Sequence, residues 1–236
     1  MTTLGRPRLH LRATDSTNTR ARELAAAGAA HGTLVTASEQ HSGRGRQGRT
    51  WTAAPGRALL CSLVLRDPPR LLPLLAGVAV AETIDAIAGG GPTACVKWPN
   101  DVHLDGRKVA GILVEGRPQE RWAVLGIGLN VALAPDDFPA GLRDTATTLG
   151  LGTAAIEPAL AALLDALDRW LAAPPAEVLG AVRRRDALFG RQIRWAGGEG
   201  RADGIDDEGR LIVLVGDGRR VALDAGEVHL QAAQRA

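Results

Sequence analysis

The chain has 236 residues, 45% of them hydrophobic, which suits one large domain or a domain with a small appendage and supplies ample apolar side chain for a core. With 28 basic and 26 acidic residues the net charge is only +2, too even for a protein that covers nucleic acid with a broad basic face. The first 15 residues hold no apolar signal segment, and the longest apolar run, Leu71 to Ala81, is interrupted by Pro73, so neither secretion nor a membrane span is expected.

Leu9 to Ala13 reads as a short strand, after which Asp15 or Ser16 caps a helix that stops at Gly28. Ser16, Thr17 and Asn18 at that helix start form either an ordinary capping cluster or a set of donors and acceptors for a small polar group such as an amide or ureido ring. Thr33 to Ser38 is a second strand, leading through Glu39 and Gln40 into Ser42 to Trp51. That stretch places Arg44, Arg46 and Arg49 between Gly43, Gly45 and Gly48 with no acidic residue among them, so it repels itself and cannot be a core element. It is either a mobile loop that an anionic ligand orders or a solvated Arg-Gly linker.

Ala58 to Leu65 has the continuous apolar texture of a buried strand, and Leu71 to Ile87 the helical period of a core helix ending in three glycines. Cys61 and Cys95 both sit in apolar context, where buried free thiols and a reducing, cytoplasmic setting are expected. Ala94 to Lys97 is a strand stopped by Trp98-Pro99-Asn100-Asp101, and Val102 to Leu104 and Lys108 to Glu115 are the arms of a hairpin around Asp105-Gly106. Trp122 to Gly128 runs into Gly126-Ile127-Gly128-Leu129-Asn130, where missing side chains permit close approach of backbone, although the third glycine and the helix of a dinucleotide fingerprint are absent. Glu157 to Leu171 and Ala176 to Leu188 read as helices separated by Pro174-Pro175, the second carrying Arg183 to Arg185 on a solvated face. Beyond Gly190, short strands alternate with Gly and Asp turns as in a small SH3-like barrel, giving domains of residues 1–189 and 190–236.

The chain chooses arginine almost everywhere, and its only lysines are Lys97 and Lys108; its only asparagines are Asn18, Asn100 and Asn130. Residues used against such a bias are candidates for work that their usual substitute cannot do.

All five lie in motifs that, taken together, resemble the biotin protein ligase (biotin-acetyl-CoA-carboxylase ligase) family. The motifs are Asp15-Ser16-Thr17-Asn18, the run from Gln40 to Trp51, Lys97-Trp98-Pro99-Asn100-Asp101-Val102, Lys108-Val109-Ala110-Gly111-Ile112-Leu113-Val114-Glu115 and Gly126 to Asn130. The resemblance implies an α+β fold, a mixed sheet with helices like that of class II aminoacyl-tRNA synthetases, plus the small SH3-like β-barrel. It implies a two-step reaction in which biotin and MgATP give biotinyl-5'-AMP and a lysine of a biotin carboxyl carrier domain then takes the biotin. By position in the motifs, Ser16, Thr17, Asn18, Gln40, Gly43, Arg44, Gly45, Arg46, Lys108 and Gly111 would bind biotin. Arg46, Arg49, Trp51, Lys97, Asn100, Asp101 and Asn130 would bind ATP and the adenylate, with Lys108, Arg44 and Arg46 catalytic. Ligands for Mg²⁺ are not assigned by the motifs. Because the first motif begins at Asp15, the resemblance implies a ligase without the amino-terminal DNA-binding domain of bifunctional members, acting on no nucleic acid and no membrane, as a monomer or homodimer in the cytoplasm. Two other readings stand beside it: a lipoate or octanoyl ligase with the same acyl-adenylate logic, and an RNA-binding protein using the Arg-Gly loop, which the 3% aromatic content disfavours.

Overall fold

Strand alternation sends one set of side chains into a core and leaves the other set to line a cleft. The computed structural model describes residues 4–91, 93–224, 226 and 228–230; the ends of the two expected domains, 1–3 and 231–236, lie outside the described residues. In chain order the elements are β1 (Arg8–Leu11), α1 (Thr17–Ala26), β2 (Leu34–Ala37), β3 (Ala58–Arg66), α2 (Leu72–Ile87), β4 (Cys95–Lys97), β5 (Asp101–Leu104), β6 (Arg107–Arg117) and β7 (Trp122–Asn130). They continue with α3 (Ile156–Ala172), α4 (Pro175–Arg184), β8 (Gln192–Trp195), β9 (Gly198–Ile205), β10 (Leu211–Leu214), β11 (Arg220–Leu223) and β12 (His229–Leu230).

The first seven strands form one sheet in the order β1-β2-β3-β7-β6-β5-β4, with β1 parallel to β2 and the remaining neighbours antiparallel. On β3, Leu59, Cys61, Leu63 and Leu65 enter the main core with α2, α3 and α4. Ala58, Leu60, Ser62 and Val64 therefore face the other side. The same parity on β7 sends Leu125, Ile127 and Leu129 to the core and leaves Trp122, Val124, Gly126, Gly128 and Asn130 opposite. Helix α1 covers only one end of this second face, packing Ala21 and Ala25 on Val35, Val64, Trp122 and Val124. The uncovered remainder, where β7 carries glycines and an asparagine, becomes the floor of a cleft.

On the core side α2 is buried along nearly its whole length, and each fully buried leucine such as Leu75 stabilises the fold by about 2 kcal/mol relative to exposure. The last five strands form an antiparallel sheet in the order β11-β10-β9-β8-β12, as the SH3-like reading expects, and Ile193, Ala202, Ile205, Leu211 and Val213 join the same core. The β9–β10 turn anchors this sheet: Trp98 Nε1 donates to Gly209 O at 3.0 Å and Arg70 to Glu208 O at 3.2 Å. Gly209 has φ +81°, and a Cβ there would sit 2.7 Å from Leu71 Cδ2, so both the turn and its seat require glycine.

Three expectations fail. Helix α4 ends at Arg184 rather than Leu188, because Arg185 O accepts from Val96 N and Ala187 N donates to Val96 O, so the edge of β4 captures the chain. Nor is the basic run simply solvated: Arg183 donates to Ile205 O and Asp207, and Arg185 to Asp85 and Ala94 O. The cysteines are free as expected, and burial pushes the Cys61 thiol up to about 12, but Cys95 is only partly buried because β4 is the outermost strand. No described helix is long and apolar enough to cross a membrane.

Candidate active site

The open half of the sheet face, the loop between β2 and β3, and the segments after β7 and β11 enclose a cleft of about 540 Å³. Its wall includes every residue singled out from the motifs except Gly43, which lies behind it. A Cβ on Gly43 would collide with the Trp51 carbonyl, so that glycine shapes the base of the loop.

One end of the cleft is a network of hydroxyls and carboxamides, with the Glu115 carboxylate and its arginine partners at its edge. Ser16 is the first residue of the α1 cap but supplies no capping side chain; the Gln40 carboxamide oxygen does that work, accepting from Thr17 N at 2.7 Å and from Thr17 Oγ1 at 3.0 Å. Ser62 Oγ, on the cleft side of β3, lies 2.8 Å from Thr17 Oγ1 and 2.6 Å from Asn18 Oδ1. Asn18 Nδ2 donates to Glu115 Oε2 at 2.9 Å, and its carboxamide lies so close over Gly126 that any Cβ there would collide with it. Arg44, a candidate for biotin binding and catalysis, reaches Glu115 Oε1 at 2.7 Å.

The other end is charged. Parallel bookkeeping on paired strands explains the convergence: Lys97 is opposite Asp101 in β4–β5, His103 is two residues on from Asp101, and Lys108 is opposite His103 in β5–β6. Lys108 Nζ stands 2.7 Å from Asp101 Oδ1, an ion pair, and 5.8 Å from the centre of the Trp51 ring. Burial is the largest cause that holds the Lys97 ammonium below its ordinary pKa; Lys108 and Arg49 add to the depression and Asp101 opposes it. Burial likewise pushes His103 down to about 4, so it is neutral at pH 7. Its Nδ1 is 3.1 Å from the Gly106 carbonyl, which can only accept, so Nε2 is the unprotonated nitrogen, and it finds no partner among the described residues. Asn130 Nδ2 donates to Thr147 O at 2.9 Å, which leaves the buried Oδ1 without a donor among the described residues.

Between the ends lies the Arg-Gly loop, folded as a narrow hairpin. Trp51 N donates to Gly43 O and Gly45 N to Arg49 O, while Gln47 and Gly48 turn the tip with φ of 55° and 75°. Arg46 Nη1 donates to Asn100 Oδ1 at 2.7 Å, and Asn100 is itself fixed by Nδ2 to Ile112 O at 2.9 Å. The Trp51 indole rests on the glycine floor: a Cβ on Gly128 would collide with it, and one on Gly111 would approach it to 3.0 Å. Gly111 thus accommodates Trp51 and the Lys108 stem as well as anything that binds beside them.

Sequence reasoning missed Ser62, whose signal was a lone hydroxyl in the apolar run Leu-Leu-Cys-Ser-Leu-Val-Leu, and Glu115, which lay at the end of a quoted motif without a role. It also missed His103, the wall formed by Leu142 and Thr145, and the contribution of Val228 to Leu230.

Residues 11–131 match the model of the biotin/lipoate A/B protein ligase family, and residues 189–230 match the biotin protein ligase C terminal domain. The chain is 37% identical over 238 residues to the biotin-[acetyl-CoA-carboxylase] ligase of Mycobacterium tuberculosis, covering 92% of this chain and 87% of that protein. It is 44% identical over 142 residues to the bifunctional ligase/repressor BirA of Bacillus spizizenii, a match that spans 57% of this chain but only 43% of that longer protein. In three dimensions it is similar to the biotin protein ligase from Aquifex aeolicus in complex with biotin and ATP, with a TM-score of 0.83, 28% identity, and coverage of 97% of this chain and 100% of the other. Motif order, cleft and these likenesses agree: the chain belongs to the biotin/lipoate A/B protein ligase family.

Proposed function

We propose that this chain is a biotin protein ligase, which activates biotin with MgATP to biotinyl-5'-AMP and transfers it to a lysine of a biotin carboxyl carrier domain. The observation that carries the proposal is the division of one cleft into a neutral hydrogen-bonding end and a cationic end, bridged by Trp51. A ureido ring needs paired donors and acceptors without net charge, which Thr17, Gln40 and Ser62 offer with Ser16 and Asn18 around them. A carboxylate meeting a triphosphate needs fixed positive charge, which Arg46, Arg49, Lys97 and Lys108 offer at the other end.

In the first step a biotin carboxylate oxygen attacks the α-phosphorus, the new acyl-phosphate bond forms, and the bond to the β-phosphate breaks to release pyrophosphate. Lys108, with Arg46 and Arg44 as supporting cations, offsets the repulsion between the two anions and the charge on the departing group. A partly buried ammonium such as Lys97 gains when an anion replaces the water it has lost. Asn130 spends one Nδ2 hydrogen on Thr147 O, and its unpartnered Oδ1 offers an acceptor suited to the exocyclic amine of adenine. Gly43 and Gly45 let the loop close on its own backbone, and Gly111 lets the floor lie close to the acyl chain. In the second step the neutral amine of the acceptor lysine attacks the acyl carbon, the carbon–oxygen bond breaks, AMP leaves with the electron pair, and the amine loses a proton.

Mg²⁺ fits as a companion of the nucleotide. No group of three His, Cys, Asp or Glu side chains among the described residues forms a metal cage, and Asp101 beside Asn100 is the carboxylate at the phosphate end. Bound there, the ion would neutralise phosphate charge. Residues 1–189 would supply the ligase domain and 190–236 a carboxy-terminal domain whose Val228 to Leu230 complete the wall.

The test is ATP–pyrophosphate exchange with biotin and, separately, with lipoate. Exchange with biotin supports the proposal; exchange with lipoate alone overturns it in favour of a lipoate ligase.

A further inference from the structure

We propose that Glu115 is a positioning residue that latches the Arg-Gly loop to the neutral end of the cleft and so slows escape of the acyl-adenylate; the second half of this statement rests on the proposed ligase reaction. Glu115 lies on the cleft side of β6, in line with Gly111 and Leu113, while its neighbours Ile112 and Val114 pack toward the core. Its two oxygens meet three side chains from two pieces of the molecule, α1 and the loop. Oε2 accepts from Asn18 Nδ2 at 2.9 Å, Oε1 accepts from Arg44 Nη2 at 2.7 Å, and Arg22 of α1 approaches Oε1 at 3.6 Å.

One carboxylate on a rigid strand therefore holds both the first turn of α1, which carries the neutral network, and the entry arm of the loop. The loop has a second fastening from Arg46 to Asn100, but that one is a hydrogen bond to a neutral carboxamide at the phosphate end. At the entry arm the hold is ionic. The Glu115 side chain is 18% exposed against 46% for Arg44, so the strand partner is fixed and the loop partner is the one that swings. When Arg44 stays on Glu115, the Gly43–Trp51 backbone bond and the indole above the glycine floor stay in place; when it leaves, the cleft opens along the loop. Arg44 therefore acts on the reaction in part through Glu115.

Glu115→Gln separates the two duties of the side chain, because the amide keeps an acceptor for Asn18 and loses the charge that holds Arg44 and Arg22. Two readouts decide the matter. The first is tryptic cleavage after Arg46 or Arg49 in the unliganded protein, expected to rise about fivefold in Glu115→Gln and in Arg44→Ala, the worth of a modest ion pair. The second is release of acyl-adenylate, captured by a soluble primary amine with biotin and MgATP present. In Glu115→Gln it is expected to rise by a similar factor while KM for ATP stays within about twofold, since that substitution leaves the phosphate end untouched. Combining Glu115→Gln with Arg44→Ala adds little further if the two residues act as one latch. Unchanged cleavage in both single variants, or effects that multiply fully in the double variant, overturn the inference. If the unaltered protein forms no acyl-adenylate with biotin, the ligase proposal falls and the cleavage experiment still decides the latch. Arg44→Ala breaks the pair from the exposed side, so the inference stays testable if Glu115→Gln folds poorly.

Discussion

The two ends of the cleft are built from the same sheet face by opposite means. At the neutral end almost every polar atom has an internal partner: Thr17, Asn18, Gln40, Ser62 and Glu115 bind one another, so the site is shaped before any ligand arrives. At the charged end Lys97 is partly buried and has lost some of its hydration, and acceptors on His103 and Asn130 find no donor among the described residues. The lesson is that one end recognises shape and hydrogen bonding with little electrostatic cost, whereas the other holds a desolvated cation that an anion relieves and acceptors that a ligand's N–H or O–H groups would fill.

The strongest way to break this contrast is at Lys108. Lys108→Ala is expected to cut adenylate formation by roughly 10³-fold, the scale of removing a main stabiliser of developing charge, with a much smaller loss of biotin binding. Single-turnover adenylation beside equilibrium binding checks both, and near-normal adenylation removes Lys108 from its role.

A second test uses pH. His103 is held at about 4 in the folded chain, below the ordinary 6.5, so between those values the unfolded chain binds a proton that the folded one refuses. Stability from this group is full above pH 6.5 and is lost as pH falls toward 4, by roughly 3 kcal/mol. Melting curves of His103→Gln should be flatter in that window; an unchanged slope assigns the acid sensitivity elsewhere.

At the neutral end the effects are smaller and fall on binding. Gly126→Ala pushes a methyl group into the Asn18 carboxamide, which should cost about 1–3 kcal/mol and raise KM for biotin more than it lowers kcat. Ser62→Ala removes one hydroxyl from the Thr17–Asn18 pair and should weaken biotin binding by about 1 kcal/mol, leaving KM for ATP unaltered. Calorimetric titration with each ligand measures the split, and equal losses for biotin and ATP would erase the distinction between the ends.

Much of this was legible in the sequence because local chemistry and tertiary role coincide. The scarcity of lysine and asparagine pointed to Lys97, Lys108, Asn18, Asn100 and Asn130, all of which line the cleft. Glycines 126 and 128 were read as points of close approach, and Asn18 and Trp51 are what approach them. The failures came where a distant partner overrides local preference. Arg183 and Arg185 look like a solvated pair until β9 and β4 supply carbonyls, and α4 gives up its last turn to the edge of β4. Ser62 and Glu115 matter because strand parity brings them beside α1 and the loop, a fact that emerges only when β3, β6 and β7 are paired.

The most direct test is a crystal structure with biotinyl-5'-AMP bound. The account predicts the ureido ring within hydrogen-bonding distance of Thr17, Gln40 or Ser62 and the phosphate between Arg46 and Lys108, with Trp51 alongside. A ureido ring at the lysines, or a phosphate beside Asn18, would contradict the division of the cleft.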